Sequence, residues 1–347
     1  MTATLDAFLN SYASSGDERR AAVAATVRRL VEAAVTVRRA IEHGVPGLSS
    51  ESGNGTNADG DLQTALDLYA DETFLEAMQR APVAAYASEE LRQPILLDRE
   101  APIAVAIDPL DGSSNIETNV SIGTIFSILP ATGAPDDDPA ASFLQAGSAQ
   151  LAAGFFIYGP KLALVISLGS GTHIFAFAPR LGTFVQAHES LAIPQRTQEF
   201  AVNAANYRHW DEAVRLYVDD CLKGADGPRE KDFNMRWIAS LVAECHRILA
   251  RGGVFLYPGD QRRGYQNGRL RLVYEASPIA FLAEQAGGAA TDTVTRILDI
   301  QPEGLHQRVP FVFGSTREVE RIARYHTAPS AIGERAPLFG NRGLFRA

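Results

Sequence analysis

The sequence predicts a layered α/β chain, α+β by stricter schemes, and three observations predict it. Residues 18–43 (ERRAAVAATVRRLVEAAVTVRRAIEH) repeat apolar side chains at helical spacing. Six short runs between residues 82 and 178 (PVAAYAS, PIAVAID, VSIGTIFSIL, LAAGFFIYG, LALVISLG, HIFAFA) are apolar almost throughout, as strands covered on both faces are. Beyond about residue 195, helical segments alternate with single strands.

In chain order, the helix over 18–43 sets arginines opposite its apolar stripe and stops at Gly44. Residues 45–61, rich in Gly, Ser and Asn and without periodicity, read as a mobile loop. LQTALDLYADETFLEAMQR (62–80) reads as a second helix, and the six strands follow it. Between two of them, TGAPDDDPAAS (132–142) reads as an acidic surface loop. In the second half, MRWIASLVAECHRILA (235–250) reads as a helix, GGVFLYP and RLRLVYE as strands, and SPIAFLAEQAGG as a helix. The change of pattern divides the chain into domains 1–194 and 195–347.

Composition narrows the function. At 347 residues, 46% apolar and 21% charged, the chain suits one large or two medium globular domains. No apolar run approaches a membrane span, and MTATLDAFLNSYASSGDERR lacks a basic start, an apolar core and the acid-poor character of a transit peptide. A cytoplasmic protein is therefore expected. Cys221 and Cys245 form neither a disulfide framework nor a metal motif. A net charge of −9 disfavours nucleic-acid and membrane partners. An acidic protein that binds a phosphate must invert its local field, and divalent cations are the usual device.

The chemistry-bearing residues stand at the ends of predicted elements. Asp61 and Asp67 lie where the loop enters the second helix, Glu89 and Glu90 after PVAAYAS, Asp108 and Asp111 after PIAVAI, and Glu275 after RLRLVY. Each alone reads as a cap or a solvated strand end, since acids mostly lie on surfaces. If adjacent strands end together, Glu89, Glu90, Asp108, Asp111 and Glu275 converge, and such carboxylates cannot all stay ionised without cations. Oxygen ligands without nearby His or Cys suit Mg²⁺ or Mn²⁺, and Leu110 can add its carbonyl. Gly112, Ser113 and Ser114 then offer close backbone approach, amides and hydroxyls at a helix start, a cradle for an anion. Cations beside an anion cradle point to phosphoryl transfer.

On these residues the chain resembles the class I fructose-1,6-bisphosphatases, within the Mg²⁺-dependent, lithium-sensitive sugar and inositol phosphatases. ASEEL, AIDPLDGSSNIETNVSIGTIFSI, GGVFLYP, LRLVYEASPIAFLAEQAGG and LHQRVPFVFGS match in order across roughly residues 20–325. The resemblance implies a layered αβαβα fold, a homotetramer, and hydrolysis of the 1-phosphate of fructose 1,6-bisphosphate with two or more Mg²⁺ per subunit. It implies Asp61, Glu89, Glu90, Asp108, Leu110, Asp111 and Glu275 at the metals, Asp67 and Glu90 at the attacking water, and the backbone of Asp111, Gly112, Ser113 and Ser114 at the reacting phosphate. Asn203, Tyr207, Tyr257 and Arg269 fall at the sugar and second phosphate, with Arg236 reaching in from a neighbouring subunit.

Three departures accompany the resemblance. Arg269 stands where the family has lysine, and a planar guanidinium is not equivalent to a compact ammonium. Trp237 stands where many members have tyrosine, so a phosphate-binding hydroxyl is lost. GDERRAA and Pro102-Ile103 replace the segments that bind AMP in inhibited members. The loop at 132–142 holds no cysteine, which excludes a thiol switch there. Sedoheptulose 1,7-bisphosphate is the rival substrate. A non-catalytic sugar-phosphate sensor is the rival from another class, and it should have lost an acid that this chain keeps. His246 and His306 read as packed or structural, and Ser113 has no neighbouring base in sequence to make it a nucleophile.

Overall fold

The computed structural model describes residues 3–44, 55–56, 62–132 and 138–328. Asp61 and the loop expected at 45–61 lie outside them, apart from Gly55–Thr56. Helix α1 spans Leu5–Ala13, for which the sequence reading had no element. Helix α2, Glu18–His43, has the predicted bounds: the Asp17 carboxylate accepts from the amides of Arg19 and Arg20, and Gly44 follows it at φ +82°. The short strands β1 (Gly55–Thr56) and β2 (Leu62–Gln63) pair before α3. Helix α3, Ala65–Met78, starts three residues later than predicted because Thr64 and Asp67 close a reciprocal capping box.

An eight-stranded sheet comes next. Its strands are β3 (Val83–Ser88), β4 (Ile95–Leu96), β5 (Ile103–Asp111), β6 (Ile122–Pro130), β7 (Ala152–Tyr158), β8 (Leu162–Ser167), β9 (His173–Ala178) and β10 (Thr183–His188), in spatial order β10-β9-β8-β7-β6-β5-β3-β4. Only the β3–β5 pair is parallel. The second sheet holds β11 (Glu199–Ala201), β12 (Asn234–Met235), β13 (Val254–Tyr257), β15 (Ala289–Thr291) and β17 (Phe311–Gly314), in order β12-β11-β13-β17-β15. A small ladder pairs β14 (Leu270–Arg271) with β16 (Arg308–Val309).

The strand period of two explains the layers. Ile103, Val105, Ile107, Phe126 and Phe156 of the large sheet pack with Val23, Val27, Leu30 and Val37 of α2. Residues of the opposite face, including Ile125, Phe155 and Val165, join Val242 and Ile248 of α5 (Leu241–Arg251) and Ile279 and Leu282 of α6 (Ser277–Gln285). That same cluster takes in Phe255, Phe311 and Phe313 of the second sheet. The far side of the second sheet, with Phe200, Leu256 and Val312, is covered by Val214 and Tyr217 of α4 (Glu212–Leu222) and Ile322 of α7 (Thr316–Thr327). Helices, sheet, helices, sheet, helices: the layered αβαβα arrangement is present.

Four local expectations are corrected. DPLD does not follow strand β5 but lies inside it, as an irregularity in the β5–β6 register. RLRLVYE is strand only at Leu270–Arg271, because Leu272–Ala276 winds into a π-helical turn that runs on into α6. Residues 235–240 are not helical: Ser240 caps α5, so Arg236 and Trp237 lie on the segment before the helix. Ser113–Asn115 is a single 3₁₀ turn, not the start of a longer helix expected there.

Candidate active site

The two aspartates of DPLD would point to opposite faces in a regular strand, since they are three residues apart. Strand β5 avoids this by a bulge. Asp108 pairs with Ile125 and Asp111 with Gly123, so three steps on β5 match two on β6. The extra residue returns Asp111 to the side of Asp108, and a carboxylate oxygen from each lies within 4.8 Å of the other and of one from Glu275. All three side chains are buried. The Asp108 carboxylate accepts from the Leu110 amide across the bulge at 3.1 Å.

Asp111 meets the start of α5. Its Oδ2 accepts from the Val242 amide at 3.0 Å, so an anion does sit at a helix N-terminus, though at α5 rather than after Gly112. Asn115 ties the DGSSN turn to the same place by donating to the Ala239 carbonyl at 2.7 Å. Glu275 arrives on the π-helical turn, a form of helix common at functional sites, and its Oε2 accepts from the Arg271 amide at 2.6 Å. Glu89 follows β3 with its amide on the Ile107 carbonyl, and its Oε1 lies 2.8 Å from Nη1 of buried Arg271. Arg271 is the site residue that sequence reading missed. Its position immediately before LVYE looks like ordinary strand alternation, and only the fold turns it toward Glu89.

Burial and mutual repulsion dominate the electrostatics. Desolvation, then the charges of Glu89, Asp111, Glu275 and Glu90, push the Asp108 carboxyl well above its ordinary range. Desolvation also lifts Asp111 to about 7 against the opposing amide of Val242, and Glu275 to about 7 against the opposing charge of Arg271. Five acids, Glu89, Glu90, Asp108, Asp111 and Glu275, thus act on one another in one place. An all-oxygen donor set of buried, mutually repelling carboxylates fits a hard divalent cation.

Asp67 stands in the first turn of α3. The Thr64 amide and hydroxyl donate to its Oδ2 at 2.6 and 2.7 Å, and a Ser113 hydrogen bond reaches the same carboxyl. Desolvation outweighs these bonds and raises its proton affinity. Ser113 therefore connects Asp67 to the DGSSN turn. Glu90 is half-buried beyond β3, its amide on Ser88 Oγ at 3.2 Å.

The candidates in the second half of the chain are more dispersed. Tyr257 closes β13 within the fields of Arg269 and Glu275, between the acids and the loop that follows. In that loop Arg269 and Arg262 lie 5.0 and 4.2 Å from the centre of the Tyr265 ring, and Asp260 holds Arg262 through both carboxylate oxygens. Trp237 stacks on Phe255 at 5.8 Å and lies 6.3 Å from the Tyr257 ring. Asn203 caps its own turn by accepting from the Ala205 amide. The exposed Tyr207 hydroxyl donates to Asp219, an acid that disfavours an anion beside it. Arg236 is half-exposed, with its Nε 3.7 Å from Glu199. His306 bonds the Leu91 carbonyl, and burial lowers the pKa of His246, so both behave as packed residues. Cys221 and Cys245 are buried free thiols.

Known proteins match most of the chain. The fructose-1-6-bisphosphatase N-terminal domain family matches residues 4–189, and the corresponding C-terminal domain family matches residues 193–327. The class 1 fructose-1,6-bisphosphatase of Rhizobium meliloti is 64% identical over 346 residues, 99% of each chain. That of Azorhizobium caulinodans is 57% identical over 325 residues, 93% of this chain and 99% of its own. Among solved structures, the holo form of Leishmania major fructose-1,6-bisphosphatase superposes with a TM-score of 0.85 at 30% identity, covering 94% of this chain and 99% of that one. Matched in both halves and at such identity over nearly its full length, the chain belongs to the fructose-1,6-bisphosphatase family.

Proposed function

We propose that this chain hydrolyses the 1-phosphate of fructose 1,6-bisphosphate, giving fructose 6-phosphate and inorganic phosphate. The observation that carries the reading is the buried triad Asp108, Asp111 and Glu275, with ligand atoms within 4.8 Å, in a chain 64% identical to a named class 1 enzyme. Glu89, Glu90 and the Leu110 carbonyl complete the proposed ligand set, with Asp61 supported by sequence alone. Two or more Mg²⁺ per subunit, with Mn²⁺ as the alternative, would supply positive charge toward the phosphoryl oxygens. The rest falls to the protein. Asp67, held by Thr64 and raised in proton affinity, is suited to orient the attacking water and take its proton. Glu90 is its proposed partner. The backbone of Asp111, Gly112, Ser113 and Ser114 would hold the reacting phosphate, and Gly112 at φ +77° takes a turn that other residues rarely adopt.

Tyr257 and Arg269 are the best supported contacts for the sugar and second phosphate, since Tyr257 feels both Glu275 of the acid cluster and the Arg269 guanidinium. Asn203, Tyr207 and Arg236 enter from resemblance, Arg236 as a donor from a neighbouring subunit of a homotetramer. Division near residue 195, cytoplasmic location and the absence of nucleic-acid and membrane partners belong to the same reading. Among the described residues no helix is long and apolar enough to cross a membrane. The test is phosphate release with Mg²⁺ from fructose 1,6-bisphosphate and sedoheptulose 1,7-bisphosphate at matched concentration. Preference for the fructose compound is expected; release from neither would sink the reading.

A further inference from the structure

The bulge in β5 leaves a problem in its own backbone. Pro109 has no amide hydrogen, and the extra residue interrupts the ladder to β6, so a carbonyl within the sheet loses its regular partner. Thr124, the β6 residue between the partners of Asp108 and Asp111, fills the gap. Its Oγ1 lies 2.8 Å from the Pro109 carbonyl. A carbonyl only accepts, so the threonine hydrogen goes to it. That commitment fixes the next bond: Tyr158 Oη, 2.8 Å from Thr124 Oγ1, must be the donor there. Thr124 and Tyr158 are both buried, and burial keeps the phenol protonated far above neutral pH. The end of β7 beside Tyr158 is pinned from α2, where Arg38 Nη1 donates to the Gly159 carbonyl at 2.8 Å.

We infer that Thr124 and Tyr158 are positioning residues for the metal cluster, a directed hydroxyl pair that acts through the Pro109 carbonyl to hold the bulge that turns Asp108 and Asp111 to one side. Neither residue touches the carboxylates. What they set is the backbone between them, and with it the direction of the Leu110 carbonyl. The inference rests on the metal reading of the cluster.

The test is Mn²⁺ binding to the full chain without substrate, followed by electron paramagnetic resonance, with melting of the metal-free protein alongside. Thr124→Val should weaken Mn²⁺ about tenfold, as loss of supporting hydrogen bonds behind metal ligands does, while Thr124→Ser stays within about twofold of wild type. Tyr158→Phe should weaken binding less than Thr124→Val, because the threonine hydrogen still reaches Pro109 but is no longer directed. A residue that only satisfies the core would shift melting and leave Mn²⁺ affinity alone, and that result overturns the inference. Serine as weak as valine would assign the loss to methyl packing and overturn it too. If Thr124→Val does not fold, unchanged affinity in Tyr158→Phe overturns it. Wild type that binds no Mn²⁺ removes the metal reading itself, whereas wild-type binding with an unaffected Thr124→Val removes only this step.

Discussion

Arg271 and Glu89 form an ion pair at 2.8 Å, which sets a guanidinium directly against an acid of the cluster. Their side chains are 7% and 12% exposed, so the pair is shielded from solvent. Replacing Arg271 by methionine leaves the carboxylate without this partner. The metal-free variant should lose about 3 kcal/mol at pH ~8, and less at pH ~5, where protons neutralise the acids instead. Denaturant unfolding in chelator at the two pH values checks this. Equal losses at both would place the effect in packing rather than charge.

The cluster should also titrate. Asp111 and Glu275, lifted to about 7 chiefly by burial, are raised relative to the unfolded chain. A raised carboxyl contributes stability that is full below its unfolded pKa, about 4, and is lost as pH rises through its folded value. The metal-free protein should therefore melt lower at pH ~8 than at pH ~5, and Mg²⁺ should restore most of the difference at the alkaline end. Binding near neutrality should release protons. Calorimetry in buffers of different ionisation enthalpy reads that release, and a buffer-independent heat would refute it.

The acid–base roles of Asp67 and Glu90 can be tested with isosteric amides. Asp67→Asn and Glu90→Gln should each lower kcat by about 10²–10⁴-fold with KM changed far less, the scale of a lost acid–base group. Steady-state phosphate release decides. A variant with raised KM and normal kcat would make its residue a binding group.

Gly123 faces Asp111 across β5 and β6, and it lets α5 approach. A Cβ there would lie 2.3 Å from the Phe156 carbonyl and 2.7 Å from both Val242 methyls. Gly123→Ala should cost about 2–3 kcal/mol of overpacking and move Val242, whose amide bonds Asp111. Melting temperature and Mg²⁺ half-saturation should worsen together. A neutral substitution would mean that α5 does not dock as closely as described.

Local physics made much of this protein legible. The amphipathic stripe of 18–43, closed by Asp17 and Gly44, is helix on its own evidence, and apolar strands of period two leave a sheet little choice but to be covered on both faces. The acids, too, could be picked out, because hard oxygen donors gathered behind strands imply cations. The structure decided how they meet. The spacing of Asp108 and Asp111 implies opposite faces until pairing with β6 inserts the bulge, and no local propensity places Thr124 against the Pro109 carbonyl. RLRLVYE alternates like a strand, yet packing against the large sheet winds its second half into the turn that delivers Glu275 and leaves Arg271 beside Glu89. Sequence by itself determined which chemistry this chain carries, since that depends on residue type and short-range order. Tertiary structure decided which groups share one buried volume, because burial and repulsion are set by neighbours in space, Glu275 and Val242 among them, that lie far along the chain from Asp108 and Asp111.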